Sequence, residues 1–218
     1  MKEKEHLNHL PARCLCLAAG LSIMAFGVAF SIKAALGTSP ISSVPYVTAA
    51  ISGLSVGTAT ILLNCIFVLL QILLLRRQYE IFQLLQIPAS VLFGLMIDVG
   101  KLAIQGIPCG NYFQQWLLCI TGMVLIALGV TVEVTAGLVT TAGEGMVVTL
   151  SRVLNIKFGN MKVIFDISLV CIAVLLSFLF LGHLEGVREG TAAAAVCVGL
   201  FTKLFKKPAA AFEKRFLS

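Results

Sequence analysis

Charged side chains are scarce in this sequence. Of its 218 residues only 12% are Asp, Glu, Lys or Arg, and 59% are hydrophobic. An ordinary soluble domain has roughly 25% charged and 45–50% apolar residues. No long polar segment interrupts the chain, so the sequence leaves no room for a separate soluble catalytic or nucleic-acid-binding domain. The composition therefore predicts an integral membrane protein whose surroundings are the lipid bilayer.

Motifs of enzyme chemistry are absent as well. The three histidines fall outside the long apolar segments, and the sequence contains no HExxH zinc motif, no phosphate-binding loop and no Ser/His/Asp grouping. The seven cysteines form no CxxC pair, so we interpret them as small apolar packing residues. We therefore expect a protein that is not an enzyme and that needs no cofactor, metal or nucleic acid.

Apolar segments long enough to cross the roughly 30 Å hydrocarbon layer dominate what is present. Six of them lie at about residues 14–35, 56–75, 81–100, 114–136, 162–182 and 190–205. With a cytoplasmic N-terminus, thirteen of the sixteen Lys and Arg residues fall on the inner side, in agreement with the positive-inside rule. We therefore expect both termini in the cytoplasm.

The two halves of the chain resemble each other at an offset of 102 residues. The stretch that starts at Gly20 aligns without a gap with the one that starts at Gly122, and the register continues to the polar pair Asn64 and Asp166. Each half holds a span, a broken segment and two further spans. Because three crossings is an odd number, the halves must be inverted relative to each other, as in many secondary transporters.

The predicted fold is therefore an all-α integral membrane protein. It has six transmembrane helices as two inverted three-helix repeats, each with a broken or re-entrant short helix. The predicted division is 1–13 as a cytoplasmic N-terminal segment, 14–105 as the first repeat, 106–113 as an outer loop, 114–207 as the second repeat and 208–218 as a cytoplasmic basic tail.

The first break is the stretch ALGTSPISSVPY, residues 35–46. Ser39 is a natural N-cap and Pro40 a natural first helical residue, which predicts a short helix through about residue 52 that ends at Gly53. This helix would re-enter the membrane from outside. The alternative is an ordinary interfacial loop in which Thr, Ser and Pro only form turns.

The second break has the capping-box spacing Thr141-Ala-Gly-Glu144, which predicts a helix running to about Leu154. Entered from opposite faces, the two short helices would direct their positive N-terminal ends toward the middle of the protein. A helix N-terminus is a ready anion site, and Lys33 lies about one turn before the first break. The candidate solute-binding residues are Lys33, Thr38, Ser39, Ser42, Thr140, Thr141 and Glu144.

These residues favour a small anion or a carboxylate-bearing solute, but an alternative stays open. Lys33 can extend to the outer headgroups while the hydroxyl groups only cap helices. The capping box would by itself account for Glu144.

Acidic residues at membrane depth are the candidates for ion coupling. Glu133 and Asp166 lie in the inner halves of their spans, and desolvation favours the protonated form that a proton carrier needs. Asn64 is the repeat partner of Asp166 and joins them as a candidate. The alternative is that Lys162, one turn before Asp166, pairs with it, and that Asn64 only packs through an interhelical hydrogen bond.

A similar local ion pair is expected near the end of the third span. Asp98 and Lys101 are three residues apart on one helical face, close to the outer interface.

Three stretches carry a family resemblance: ALGTSPISSVPY, GEGMVVTLSRVLNIKFGNMKVIFDISLV and GVREGT. They resemble the YczE/YitT-like family of bacterial multi-pass membrane proteins, over nearly the whole chain. The resemblance implies a six-span protein of the bacterial plasma membrane and no particular substrate. The chain resembles YczE more closely, because it lacks the C-terminal soluble domain of YitT-type members. The motif positions are Gly37, Thr38, Ser39, Pro40, Gly143, Glu144, Gly145, Phe165, Asp166, Arg188, Glu189, Gly190 and Thr191.

The sequence thus favours a small secondary permease for a small solute, with an anion as the favoured class, and it is compatible with a homodimer. Two alternatives remain. The chain could be the substrate-binding membrane subunit of an ATP-driven transporter, or a non-transporting membrane assembly or regulatory factor.

Overall fold

The computed structural model describes residues 10–216, with side chains described through residue 205, and this part of the chain consists of helices joined by loops. Apolar runs that carry few charged residues form the long helices, and Gly or polar residues cap some of the helices. The eight α-helices of the described residues are α1 Leu10–Ala34, α2 Pro40–Ser52, α3 Val56–Leu75, α4 Gln86–Ala103, α5 Tyr112–Ala136, α6 Ala142–Val153, α7 Phe158–Leu176 and α8 Glu189–Phe216.

Five helical stretches in the described part are long and apolar enough to cross a membrane: Leu10–Ala34, Val56–Gln78, Ile81–Ala103, Tyr112–Ala136 and Phe158–Leu181. The prediction of a multi-pass, all-α membrane protein is confirmed at this level. Helix α8 covers the sixth predicted segment and extends past it, but it is not among these five stretches.

Several predicted boundaries shift by a few residues. Helix α1 begins at Leu10, so the last residues of the predicted 1–13 segment belong to the helix, while residues 1–9 lie outside the described residues. The third span begins as a 3-10 turn, Ile81–Leu85, before α4 continues it. The predicted tail at 208–218 is helical through Phe216, as the end of α8, and residues 217–218 are not described.

Helices α1 and α5 form the centre of the fold and cross through four glycines. A Cβ placed on Gly20 would lie 3.0 Å from the carbonyl oxygen of Gly129, and one on Gly27 would lie 2.8 Å from that of Gly122. The earlier residue of α1 thus meets the later residue of α5, so the helices run antiparallel. Small residues allow this close backbone approach, which is typical of helix packing in membranes.

The other helices surround this pair in matching positions. Helix α4 packs beside α1 and α8 beside α5, while the short helices cross over, α2 against α7 and α6 against α3. Helix α3 also packs on α4 at Gly57, where a Cβ would collide with the carbonyl of Gly94. Across the described residues, α7 and α8 share no comparable interface. A Cβ on Gly159 of α7 would accordingly meet open space.

The first break, residues 35–39, is held by the loop before α8. The N–H of Thr38 donates to the carbonyl of Gly186 at 3.0 Å, and the N–H of Gly190 donates to the carbonyl of Leu36 at 2.8 Å. The Arg188 guanidinium donates to the Ala35 carbonyl at 3.0 Å. The ALGTSP and GVREGT stretches therefore pair with each other, and this pairing satisfies backbone groups that an interrupted helix would leave exposed.

Candidate functional site

A cavity of about 340 Å³ lies where the two short helices begin. Residues from all eight helices line this space, which we call the central cavity. Its polar side chains come from both halves of the chain: Ser39, Ser42, Thr60, Asn64, Thr141, Glu144, Lys162, Asp166 and Thr202. Its volume falls within the 300–1,000 Å³ of typical small-molecule sites.

Helix α2 begins as predicted at one side of the central cavity. Ser39 occupies the N-cap position, Pro40 is the first helical residue, and Gly53 ends the helix in a left-handed conformation at φ 73°. The Ser39 side chain makes no capping bond. Its hydroxyl donates instead to the Ser42 hydroxyl at 3.0 Å, so both side chains stay at the cavity wall.

Helix α6 begins at the opposite side, and here the predicted capping box is wrong. Thr141 is the N-cap residue and the helix ends at Val153, close to the predicted Leu154, but the Thr141 side chain makes no capping bond. The backbone N–H of Thr141 donates to the carboxylate of Glu133, on α5. Because Glu133 supplies the acceptor that the box assigned to Glu144, the Glu144 carboxylate is left to face the central cavity.

Three charged residues line the central cavity among the described side chains: Glu144, Lys162 and Asp166. The Lys162 ammonium binds the Asp166 carboxylate at 2.8 Å, one turn along α7, with both side chains largely buried. This ion pair is the arrangement that the sequence offered as the alternative to a coupling role for Asp166. The pair gives Lys162 a partner. The central cavity is therefore lined by two carboxylates, those of Glu144 and Asp166, and one ammonium group.

Asn64 lines the same cavity from α3. Its side chain is 7% exposed, and it makes no hydrogen bond to any residue in the described part of the chain. Its repeat partner Asp166 lines the cavity from α7, so the two residues aligned by sequence face one cavity. The predicted interhelical hydrogen bond of Asn64 is not formed.

Glu133 lies apart from the central cavity, on the wall of a second cavity of about 370 Å³. It is 1% exposed, and its second carboxylate oxygen has no hydrogen-bond partner among the described residues. Thr140 lines this second cavity, together with Gln71 and Gln86. The Gln71 amide donates to the Gln86 amide oxygen and to the Ala142 carbonyl, each at 3.1 Å.

These two glutamines were not singled out in the sequence. Gln71 could have been noticed from its position, since it is the single polar residue in the apolar run from residue 65 to 75. A buried amide in such a run is costly unless it has partners.

Two predicted binding residues lie away from the central cavity. The Lys33 ammonium donates to the backbone carbonyl of Gln105 at 3.0 Å, after the end of α4, and so does not reach the helix N-termini. Thr38 is directed toward Gly186, whose carbonyl accepts its hydroxyl at 3.3 Å. Of the candidates, the structure brings Ser39, Ser42, Thr141, Glu144, Asn64 and Asp166 together at one cavity, and it separates Lys33, Thr38, Thr140 and Glu133 from it.

The predicted ion pair of Asp98 and Lys101 is wrong. Asp98 accepts the N–H of Gly57 at 2.9 Å and the hydroxyl of Ser55 at 2.6 Å. The carboxylate thus caps the N-terminus of the neighbouring helix α3, where backbone donors and the helix dipole favour a negative charge.

Comparison with protein families assigns the chain to a family. Residues 11–207 match the family of unknown function DUF6198. The chain belongs to this family. No curated protein and no solved structure matches it. Because the family match gives no YczE or YitT relationship, that resemblance stays a prediction.

Proposed function

We propose that this DUF6198 protein is a small secondary permease that moves a small solute across the membrane through the central cavity. The observation that carries this proposal is the cavity itself. It is lined from all eight described helices, and the N-terminal ends of the two short helices meet at it. Discontinuous helices that meet at a polar site between two halves are the arrangement that secondary transporters use.

Reciprocal packing of the central helices supports the inverted repeat. Gly20 and Gly27 of α1 are the partners, at the offset of 102, of Gly122 and Gly129 of α5. Gly20 packs on Gly129 and Gly27 packs on Gly122, so exchanging the two halves maps one contact onto the other. A two-fold axis between antiparallel helices has this property. In the proposal α8 is the sixth span, and both termini are cytoplasmic.

The ion-coupling role is assigned to Glu133 and Asp166. Glu133 is buried, and one of its carboxyl oxygens has no hydrogen-bond partner among the described residues. The Asp166 carboxylate binds the Lys162 ammonium at the cavity wall. Intramembrane carboxylates of this kind are costly and usually belong to a transport pathway. The resemblance to YczE-like proteins supports a bacterial plasma membrane as the location.

A cavity-blocking variant tests the proposal. Ala195 is an exposed residue of α8 at the edge of the central cavity, and Ala192 is exposed on the same helix but does not line it. Metabolites inside and outside cells are compared for a deletion strain and for strains that produce wild type, Ala195→Trp or Ala192→Trp at equal membrane levels. We expect at least one solute to change with wild type and with Ala192→Trp, and to return to the deletion level with Ala195→Trp.

Other outcomes would favour the alternatives. Unchanged solute levels in the deletion strain would support a non-transporting assembly or regulatory factor. Co-purification of an ATPase on which the solute change depends would support a subunit of an ATP-driven transporter. Equal loss of the solute change with both tryptophan variants would remove the central cavity as the route.

A further inference from the structure

The charge of the central cavity is set by Glu144. Its charged neighbours are Lys162, Asp166 and the carboxyl group of Glu133. Since the Lys162 ammonium is bound to Asp166 at 2.8 Å, the Glu144 carboxylate has no ion pair and no side-chain hydrogen bond within the described residues. A carboxylate in a largely apolar site without such a partner is unfavourable unless water or a ligand satisfies it.

A second polar group with no partner faces the same space. Asn64 is more than nine-tenths buried, and its amide makes no hydrogen bond to another described residue. Buried side-chain amides almost always have a partner. The amide can both donate and accept, so it suits a hydroxyl, carbonyl or amine group of a bound molecule.

Apolar side chains form the rest of the wall. They come mainly from the central helices and their neighbours: Met24, Val28, Phe93, Ile126, Val130 and Val198. These groups cannot solvate a second charge, but they can bury a hydrocarbon body. The cavity therefore combines one unpaired negative charge with an apolar lining.

Several of the groups that would receive an anion are already engaged. The backbone N–H of Thr141, at the start of α6, is bound to Glu133. At the start of α2, Pro40 has no N–H, and the N–H of Ser42 donates to the Ser39 carbonyl at 2.9 Å. Lys33, the cation that the sequence offered for an anion, is bonded to Gln105 elsewhere.

We propose that the central cavity binds a small organic monocation with an apolar body, with Glu144 receiving its ammonium group and Asn64 bonding to a polar group beside it. This inference rests on the proposed function, because it names the solute class of the same cavity. It replaces the anionic solute expected from the sequence.

Three matched probes test the charge preference. Phenethylammonium, 2-phenylethanol and 3-phenylpropionate share a phenylethyl body and differ in their charge. Their equilibrium binding to the purified full chain in detergent is measured by calorimetry. We expect phenethylammonium to bind at least tenfold more tightly than either of the other two, a difference of 1.4 kcal/mol.

Two variants that each remove one negative charge test whether the cation preference arises from Glu144. Glu144→Gln should reduce the cation preference to less than threefold, whereas Glu80→Gln, an exposed acid outside the central cavity, should leave it unchanged. Asn64→Leu should weaken binding of phenethylammonium while the preference for a cation remains. The thermal midpoint of each variant shows whether it is folded.

Equal affinities for the three probes, tighter binding of 3-phenylpropionate, or no binding of any probe would overturn the inference. A folded Glu144→Gln protein with an undiminished cation preference would overturn it as well. Failure of the permease proposal gives a different result: phenethylammonium binds through Glu144, but its flux into vesicles that contain the protein equals that into empty vesicles.

Discussion

The carboxylate of Glu133, near the end of α5, accepts the backbone N–H of Thr141, the residue that precedes α6. A span and the short helix after it are thus joined by one partly buried hydrogen bond. The carboxyl group lies at the N-terminus of α6, where the helix dipole favours its charged form. The bond also satisfies a donor that the break in the helix would otherwise leave without an acceptor.

Because of this bond, we expect the proteins with Glu133→Ala and Glu133→Gln to differ in stability. Alanine leaves the N–H of Thr141 without its acceptor, and we expect a loss of about 1–3 kcal/mol in the free energy of unfolding. Glutamine keeps an acceptor oxygen and should lose less. The measurement is the thermal midpoint of the purified protein, with the exposed Glu80→Ala as control. A Glu133→Ala protein as stable as wild type would show that the bond contributes nothing.

Coupling should separate from folding in Glu133→Gln and Asp166→Asn. Both substitutions keep the side-chain size and one acceptor oxygen, but they replace the other oxygen by an NH2 donor and so remove the protonatable group. Once the metabolite comparison has identified the solute, exchange of labelled solute should persist in reconstituted vesicles, while accumulation against a gradient should fail. Normal accumulation by both variants would assign neither acid to coupling and leave the pair of Lys162 and Asp166 as a structural ion pair.

The crossing of α1 and α5 should not accept a single added methyl group. A Cβ on Gly27 would lie 2.7 Å from the backbone nitrogen of Ile126 and 2.8 Å from the Gly122 carbonyl. Because these are backbone atoms, the helices must move apart, and we expect Gly27→Ala to cost about 1–3 kcal/mol. Gly199→Ala on α8 is the matched control, since its Cβ would meet open space and alanine favours a helix. Equal thermal midpoints of the two variants would contradict the close packing.

Single cysteines in a variant without the seven native ones test the proposed topology. A thiol reagent confined to the outside of cells should label Leu54→Cys and Gln105→Cys. It should not label Arg77→Cys or Leu154→Cys, although all four positions are exposed. Labelling of position 77 from outside would contradict the inverted repeat, because α3 would then cross the membrane in the opposite sense.

Local sequence signals predicted the helices well. Pro40 and Gly53 begin and end α2 where their backbone preferences place them. Apolar runs gave the long helices within a few residues, except at the end of α8. The 102-residue offset also paired Asn64 with Asp166, and both line one cavity. These features depend on neighbouring residues or on a repeated pattern, so they can be read without the fold.

Hydrogen-bond partners were harder to predict, because several side chains bond to residues farther away in the sequence than their local candidates. The sequence offered Glu144 as the acceptor for Thr141 and Lys101 as the partner of Asp98. In the structure Glu133 accepts the N–H of Thr141, and Asp98 bonds to another helix. Lys33 likewise bonded to a carbonyl 72 residues away. A local pair and a tertiary contact can use the same atoms, and only the packing of the helices decides between them.

Pro45 lies inside α2 and lines the central cavity. A proline has no N–H, so the Ile41 carbonyl one turn earlier has no intrahelical donor, and the ring crowds that turn. Helix α6 contains no proline, and its two glycines lie in its first turn. The two short helices therefore differ in stiffness: α6 has no such interruption beyond its first turn, whereas α2 lacks one hydrogen bond beside Pro45, at the cavity wall. Bending of the cavity lining should concentrate at Pro45.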